Sequence, residues 1–176
     1  VDHKGCIYRI KEFYGCTATP NTGIMITPVE IAKQIKEIES TEENLKGRRI
    51  RGIADPSIFD RSRGESIADM MAREGVYWEP GDNTRLAGKM QYHYRFAFDE
   101  AGRSMLYIFN NCTHFIRTVP NLVYDEKHVE DIDTTQEDHI YDECRYVIME
   151  HPIAPRKNVK REIPAEDPLD LHKGEK

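Results

Sequence analysis

Three side chains have the type and placement that metal-assisted chemistry needs. Asp55 closes Arg48-Arg-Ile-Arg-Gly-Ile-Ala-Asp55, which reads as a buried strand that Pro56 prevents from continuing. Ligands gather at the carboxyl ends of strands in α/β proteins, so an acid there counts for more than one elsewhere. Asp before Pro is equally a good turn opener. His139 and Asp142 stand three residues apart in Thr134-Thr-Gln-Glu-Asp-His-Ile-Tyr-Asp-Glu-Cys-Arg-Tyr-Val-Ile-Met-Glu150. On a helix an imidazole and a carboxylate at that spacing point the same way and could reach one ion. Such pairs also decorate solvated faces, and acids in a first turn complement the helix dipole, so spacing alone leaves both readings open. Hard cations such as Mg²⁺ and Mn²⁺ take few, oxygen-rich protein ligands and keep positions open for substrate phosphate. Two such ions can activate water and stabilise the leaving oxygen of a phosphodiester. One His among carboxylates suits Mn²⁺ better than Mg²⁺. Arg85, Lys89 and the cluster Arg48, Arg49, Arg51, Arg61 and Arg63 are candidate phosphate contacts. Each could equally be a solvated surface cation.

The elements that must hold these residues follow from pattern. Thr134 with Glu137 has capping-box spacing, and no Gly or Pro follows before Pro152, which predicts a helix of about four to five turns. Ile140, Cys144, Val147 and Ile148 would face the core, and His139, Asp142 and Tyr146 share a neighbouring stripe. Thr27-Pro-Val-Glu30 combines a capping box with Pro at the first helical position and starts a helix to about Glu39. Ser66 caps another that stops at Gly75. Thr84 to about Phe98 and Cys112 to Val119, the latter stopped by Pro120, complete the helices. Cys6–Tyr14, Ile24–Ile26, Arg48–Asp55, Val76–Trp78 and Met105–Phe109 read as strands.

A chain of 176 residues suits one domain with a sizeable core. No run approaches a membrane span and no signal-peptide pattern opens the sequence. Cys6, Cys16, Cys112 and Cys144 are scattered without a C-x-x-C pair, which fits thiols in a reducing cytoplasm better than a disulfide framework or a zinc site. The net charge of -6 argues against a uniformly basic nucleic-acid binder. The excess is local, with acids crowded between Asp125 and Glu143 and arginines between Arg48 and Arg63. P-loop, nucleophile-elbow and H-E-x-x-H motifs are absent. Beyond Pro152, prolines and charges replace apolar residues, which predicts an extended tail or linker over residues 152–176.

Taken in order, Ile53-Ala-Asp-Pro-Ser57, the Gly75-Val-Tyr-Trp78 stretch, Arg85-Leu-Ala-Gly-Lys89, Leu106-Tyr-Ile-Phe109 with Cys112 to Pro120, and Asp138-His-Ile-Tyr-Asp-Glu-Cys-Arg-Tyr146 resemble the C-terminal nuclease domain of the large terminase subunit of tailed bacteriophages. The resemblance runs from about Gly5 to Tyr146, within a domain placed at residues 1–151. It implies an α/β, ribonuclease-H-like fold: a mixed sheet flanked by helices. It implies a divalent-metal-dependent endonuclease, holding Mg²⁺ or Mn²⁺ as two ions, that cuts concatemeric viral DNA in the bacterial cytoplasm. The implied partners are double-stranded viral DNA, the portal and the small terminase subunit. Asp55 matches the second acidic position of that family and Asp142 the third, with His139 in an auxiliary metal position. A non-catalytic module that grips DNA or the portal is the competing reading, and a resolvase or transposase a third.

The first acidic position belongs to the opening strand of that fold, and the sequence has no such strand. Asp2 falls in the turn that would follow it. That strand sits in mid-sheet beside the one ending at Asp55, so its loss predicts a compensation: direct pairing with Cys6–Tyr14, strand exchange between copies, or residues upstream of Val1. It also predicts slow cleavage or none. Two carboxylates brought together without a cation should repel and raise one pKa.

Overall fold

The computed structural model describes residues 1–17, 19 and 21–155. It is a mixed α/β arrangement of four short strands, β1 (Ile7–Arg9), β2 (Gly52–Ala54), β3 (Trp78–Pro80) and β4 (Leu106–Ile108), and five helices. The helices are α1 (Pro28–Thr41), α2 (Ile67–Arg73), α3 (Arg85–Phe96), α4 (Thr113–Thr118) and α5 (His139–Met149). β1 pairs in parallel with β4 and β2 in parallel with β3, and among the described residues the two pairs do not join. In place of the expected single mixed sheet, the described residues form two separate parallel pairs. Direct pairing of the Asp55 strand with Cys6–Tyr14, one of the three compensations, does not occur.

Two of the three helix N-caps read from the sequence form, and at Ser66 the cap is a full capping box. Thr27 and Glu30 exchange side-chain and backbone hydrogen bonds at the start of α1. Ser66 and Asp69 do so at α2, whose exit passes through Gly75 at φ +82°. The box at Thr134 does not form, and α5 begins only at His139. Two local competitors explain this. Asp133 Oδ1 accepts from the backbone N–H and hydroxyl of Thr135, closing an Asx turn instead of a helix. Glu137 is drawn away by Arg117, whose guanidinium donates at 2.7 and 2.8 Å, and by the Tyr14 hydroxyl at 2.9 Å. Those partners hold the Glu137 carboxyl low, at about 2. The strands are shorter than read; Ile24–Ile26 forms none, its neighbour Gly23 making only an isolated antiparallel bridge to Cys16. Pro120 does not end its helical stretch abruptly, because a 3-10 turn, Val119–Asn121, continues α4 past it.

The main core gathers on α5. Ile140, Cys144 and Ile148, four residues apart, bury against Ile7, Leu106, Cys112 and Phe115. Tyr92 on α3 stacks on Tyr141 with centroids 4.5 Å apart and donates its hydroxyl to the Tyr141 carbonyl at 2.7 Å. A smaller cluster of Ala32, Met71 and Val76 joins α1 to α2, with Trp78 against it. Long-range polar ties join distant segments. Glu12 accepts from the N–H groups of His114 and Phe115, capping α4 from a distant part of the chain. Arg95, wholly buried, donates to the carbonyls of Gly5, Met105 and His151 and so ties α3 to three segments at once. All four cysteines are free thiols, three of them buried. Among the described residues no helix is long and apolar enough to cross a membrane. Most of the expected tail, residues 156–176, lies outside the described residues.

Candidate functional site

The end of β2 and one side of α5 meet. Asp55 follows β2 and turns the chain into a 3-10 turn, Pro56–Phe59, by accepting the Ser57 N–H on Oδ1 at 2.7 Å. Its Oδ2 accepts from the Tyr146 hydroxyl of α5. One turn earlier on α5, Asp142 accepts from Arg145 Nε at 3.0 Å and from Arg85 Nη1 at 3.1 Å. Asp55 and Asp142, far apart in sequence, are thereby brought to one short stretch of α5.

The cation among them was not singled out by the sequence reading. The Arg145 side chain is only 2% exposed, lies over the Tyr146 ring at 4.9 Å and leaves Nη1 without a hydrogen-bond partner. Its charge acts on Asp55 and Asp82, whose carboxyls lie below the ordinary range. Burial alone would raise Asp55, but the bonds from Ser57 and Tyr146 and the nearby guanidinium outweigh it. Asp82 is lowered chiefly by the Thr84 hydroxyl and N–H. Two glycines make room for this arrangement. A Cβ at Gly88 would stand 2.5 Å from both Cγ and Cδ of Arg145, and one at Gly81 would stand 2.8 Å from the Tyr146 ring. A mid-helix Gly in Arg85-Leu-Ala-Gly-Lys89 was the available signal, since such a residue costs about 1 kcal/mol against Ala unless packing requires it.

His139 does not complete a ligand set. Its ring is 71% exposed, its nearest acid is Asp138 at 3.9 Å, and it faces the groove between β1 and β2. Among the described residues no group of three His, Cys, Asp or Glu is spaced to hold a metal ion. Asp55 and Asp142 each already accept two protein donors, and a guanidinium stands beside them. By themselves these residues do not fit a two-ion site.

The expected repulsion falls on Asp138 instead of Asp55. Burial, then the charge of Asp142, raise its carboxyl above the usual range, with Arg85 3.9 Å away as partial compensation. A carboxyl whose folded pKa exceeds its unfolded value weakens the fold at neutral pH, and the penalty fades as pH falls through the folded value and is gone well below about 4. Asp138→Asn should therefore raise stability at pH 7 by up to about 1 kcal/mol, with the gain gone near pH 3 in urea titrations across pH. A gain independent of pH would show that the charge is not its source.

The cations read as phosphate contacts are largely engaged by acids. Arg85, besides Asp142, holds Asp131 at 2.7 Å, and Lys89 donates to the Glu130 carbonyl while lying 4.2 Å over the Tyr124 ring. Arg61 clasps Asp69 with two bonds at 2.8 and 2.9 Å. The side chains of Arg48 and Arg63 make no ion pair among the described residues. No protein-family model matches this chain, and no similar curated protein or solved structure was found.

Proposed function

We propose that this chain is a nuclease domain of the phage large-terminase type, a divalent-metal-dependent endodeoxyribonuclease acting on double-stranded viral DNA. The observation that supports the reading is the meeting of Asp55, at the end of β2, with the Asp142–Tyr146 turn of α5. The chain's own part is to orient two carboxylates. Tyr146 and the Ser57 N–H fix Asp55, and Arg85 and Arg145 fix Asp142. Arg63, whose side chain makes no ion pair among the described residues, is the DNA-facing cation of the proposal, and Arg61, paired with Asp69, stands in the same loop. Portal and small-subunit contacts remain those the resemblance implies.

A second reading, a non-catalytic module that grips DNA or the portal, is favoured by one feature. The Arg145 guanidinium already supplies a positive charge to the carboxylates. Thermal melting with and without millimolar Mn²⁺ separates the two. For the nuclease reading the melting temperature rises, because an ion bound only by the folded state stabilises it, and Asp142→Asn removes the rise. An equal rise in Asp142→Asn, or none in the parent chain together with metal-independent, salt-sensitive DNA binding, would favour the docking module.

A further inference from the structure

Arg145 is a buried cation that leaves most of its hydrogen-bonding capacity unused. Among the described residues only its Nε has a partner, Asp142 Oδ1 at 3.0 Å, and Nη1 is buried with none. Arg95, equally buried, behaves as a structural tie and bonds three carbonyls through Nη1 and Nη2. An orphaned interior donor costs free energy. What Arg145 offers its surroundings is therefore charge more than bonding.

Three carboxylates receive that charge. Asp142 is bonded to it directly. It also acts on Asp55, against burial and beside the Ser57 and Tyr146 bonds, and on Asp82, beside the Thr84 bonds. Asp82 joins the group because β2 and β3 run parallel with Ala54 opposite Pro80, so both chains leave the same end. The Gly81 N–H, bonded to the Ala54 carbonyl at 2.8 Å, holds the two exits together. Thr84 occupies Oδ1 of Asp82 through its N–H and hydroxyl, at 2.8 and 2.6 Å, and Oδ2 accepts no bond from the described residues.

Two-ion hydrolysis needs divalent cations about 3.5–4 Å apart on shared carboxylates. Here Asp142 is already bonded by Arg145 and Arg85, so a cation position is filled from within. Arginine stays protonated in proteins and cannot yield that place by losing a proton. A divalent ion arriving beside it would meet strong repulsion at low dielectric. Packing also holds the group in place. Its stem lies so close to Gly88 of α3 that a Cβ there would stand 2.5 Å away, and its head lies 4.9 Å over the Tyr146 ring.

We propose that Arg145 is a resident cation standing in for one of the two divalent ions, so that the acid site takes at most one. A single ion draws on Asp55 and on the free Oδ2 of Asp82. The count of ions follows from Arg145 alone, and the proposal rests on the nuclease reading only for the kind of ion.

Electron paramagnetic resonance of free Mn²⁺ in titrations of the full chain counts the bound ions, with circular dichroism to check folding. Ions also bound by the Asp55→Asn/Asp142→Asn double variant are subtracted as surface binding. The parent should take no more than one. Arg145→Met and Arg145→Gln should each take one more than the parent, and Arg145→Lys, which keeps the charge, should take no more. Two ions in the parent would overturn the proposal even if no Arg145 variant folds. So would an unchanged count in both neutral variants, or a gain in Arg145→Lys equal to theirs. The nuclease reading is judged separately, on whether the parent binds any ion. No ion in the parent but one in Arg145→Met would end that reading and uphold the proposal; one ion in each would do the reverse.

Discussion

Replacing Arg145 by methionine is expected to destabilise the folded chain by about 1–3 kcal/mol at pH 7, because the part-exposed Asp142 loses a charged hydrogen bond but keeps Arg85. Methionine keeps the unbranched stem and much of the volume, so the loss reports charge more than packing. What disappears is the Nε bond to Asp142 at 3.0 Å, the contact with the Tyr146 ring and the field on Asp55. The pH dependence carries the diagnosis. The Asp55 carboxyl is depressed in the folded protein, so its contribution is present above its unfolded value of about 3.9 and is lost as pH falls through the folded value. The gap between parent and Arg145→Met should therefore narrow as acid protonates the carboxylates, and be full from about pH 5 upward. Urea unfolding across pH 3–7 measures both. A loss below about 1 kcal/mol with no pH dependence would place the guanidinium among the weak, solvated ion pairs and remove it from the site.

How much of this was legible in the sequence depends on how far each side chain reaches. Thr27 with Glu30 and the Ser66 cap act within four residues, and both form as read, Ser66 with Asp69 as its partner. Thr134 and Glu137 have the same spacing and fail, because Glu137 is claimed by Tyr14 and Arg117 from other elements. Spacing cannot reveal a distant competitor. The same limit governs the site. Asp55 at a strand end and Asp142 on a late helix were readable one by one, but their meeting through Tyr146 depends on how α5 lies across β2. Arg85 and Lys89 read as free cations because their partners, Asp131 and the Glu130 carbonyl, sit on a loop whose path no periodicity records. The short strands follow from the split sheet. Among the described residues β2 and β1 each pair on one edge only, and the regular ladder covers three residues where the apolar runs suggested more.

Gly88→Ala separates helix propensity from packing at the point where α3 crosses α5. Propensity alone predicts a gain of about 1 kcal/mol, since alanine is the better helix former. The structure predicts the opposite sign. The new methyl would stand 2.5 Å from Cγ and Cδ of Arg145, which lie mid-chain on a buried side chain whose end is held by Asp142. Relief requires α3 to move away from α5 or Arg145 to leave its rotamer, and overpacking of this kind costs about 1–3 kcal/mol. The expected result is a net loss of about 1–2 kcal/mol in urea unfolding. In an Arg145→Ala background the obstructing atoms are gone, so the same Gly88→Ala change should become neutral or stabilising. The double-mutant cycle should then show a coupling of at least about 1 kcal/mol, as contacting residues do. Additive effects would mean that the two side chains do not meet, and with that contact would go the argument that Gly88 exists to admit Arg145 between Asp55 and Asp142.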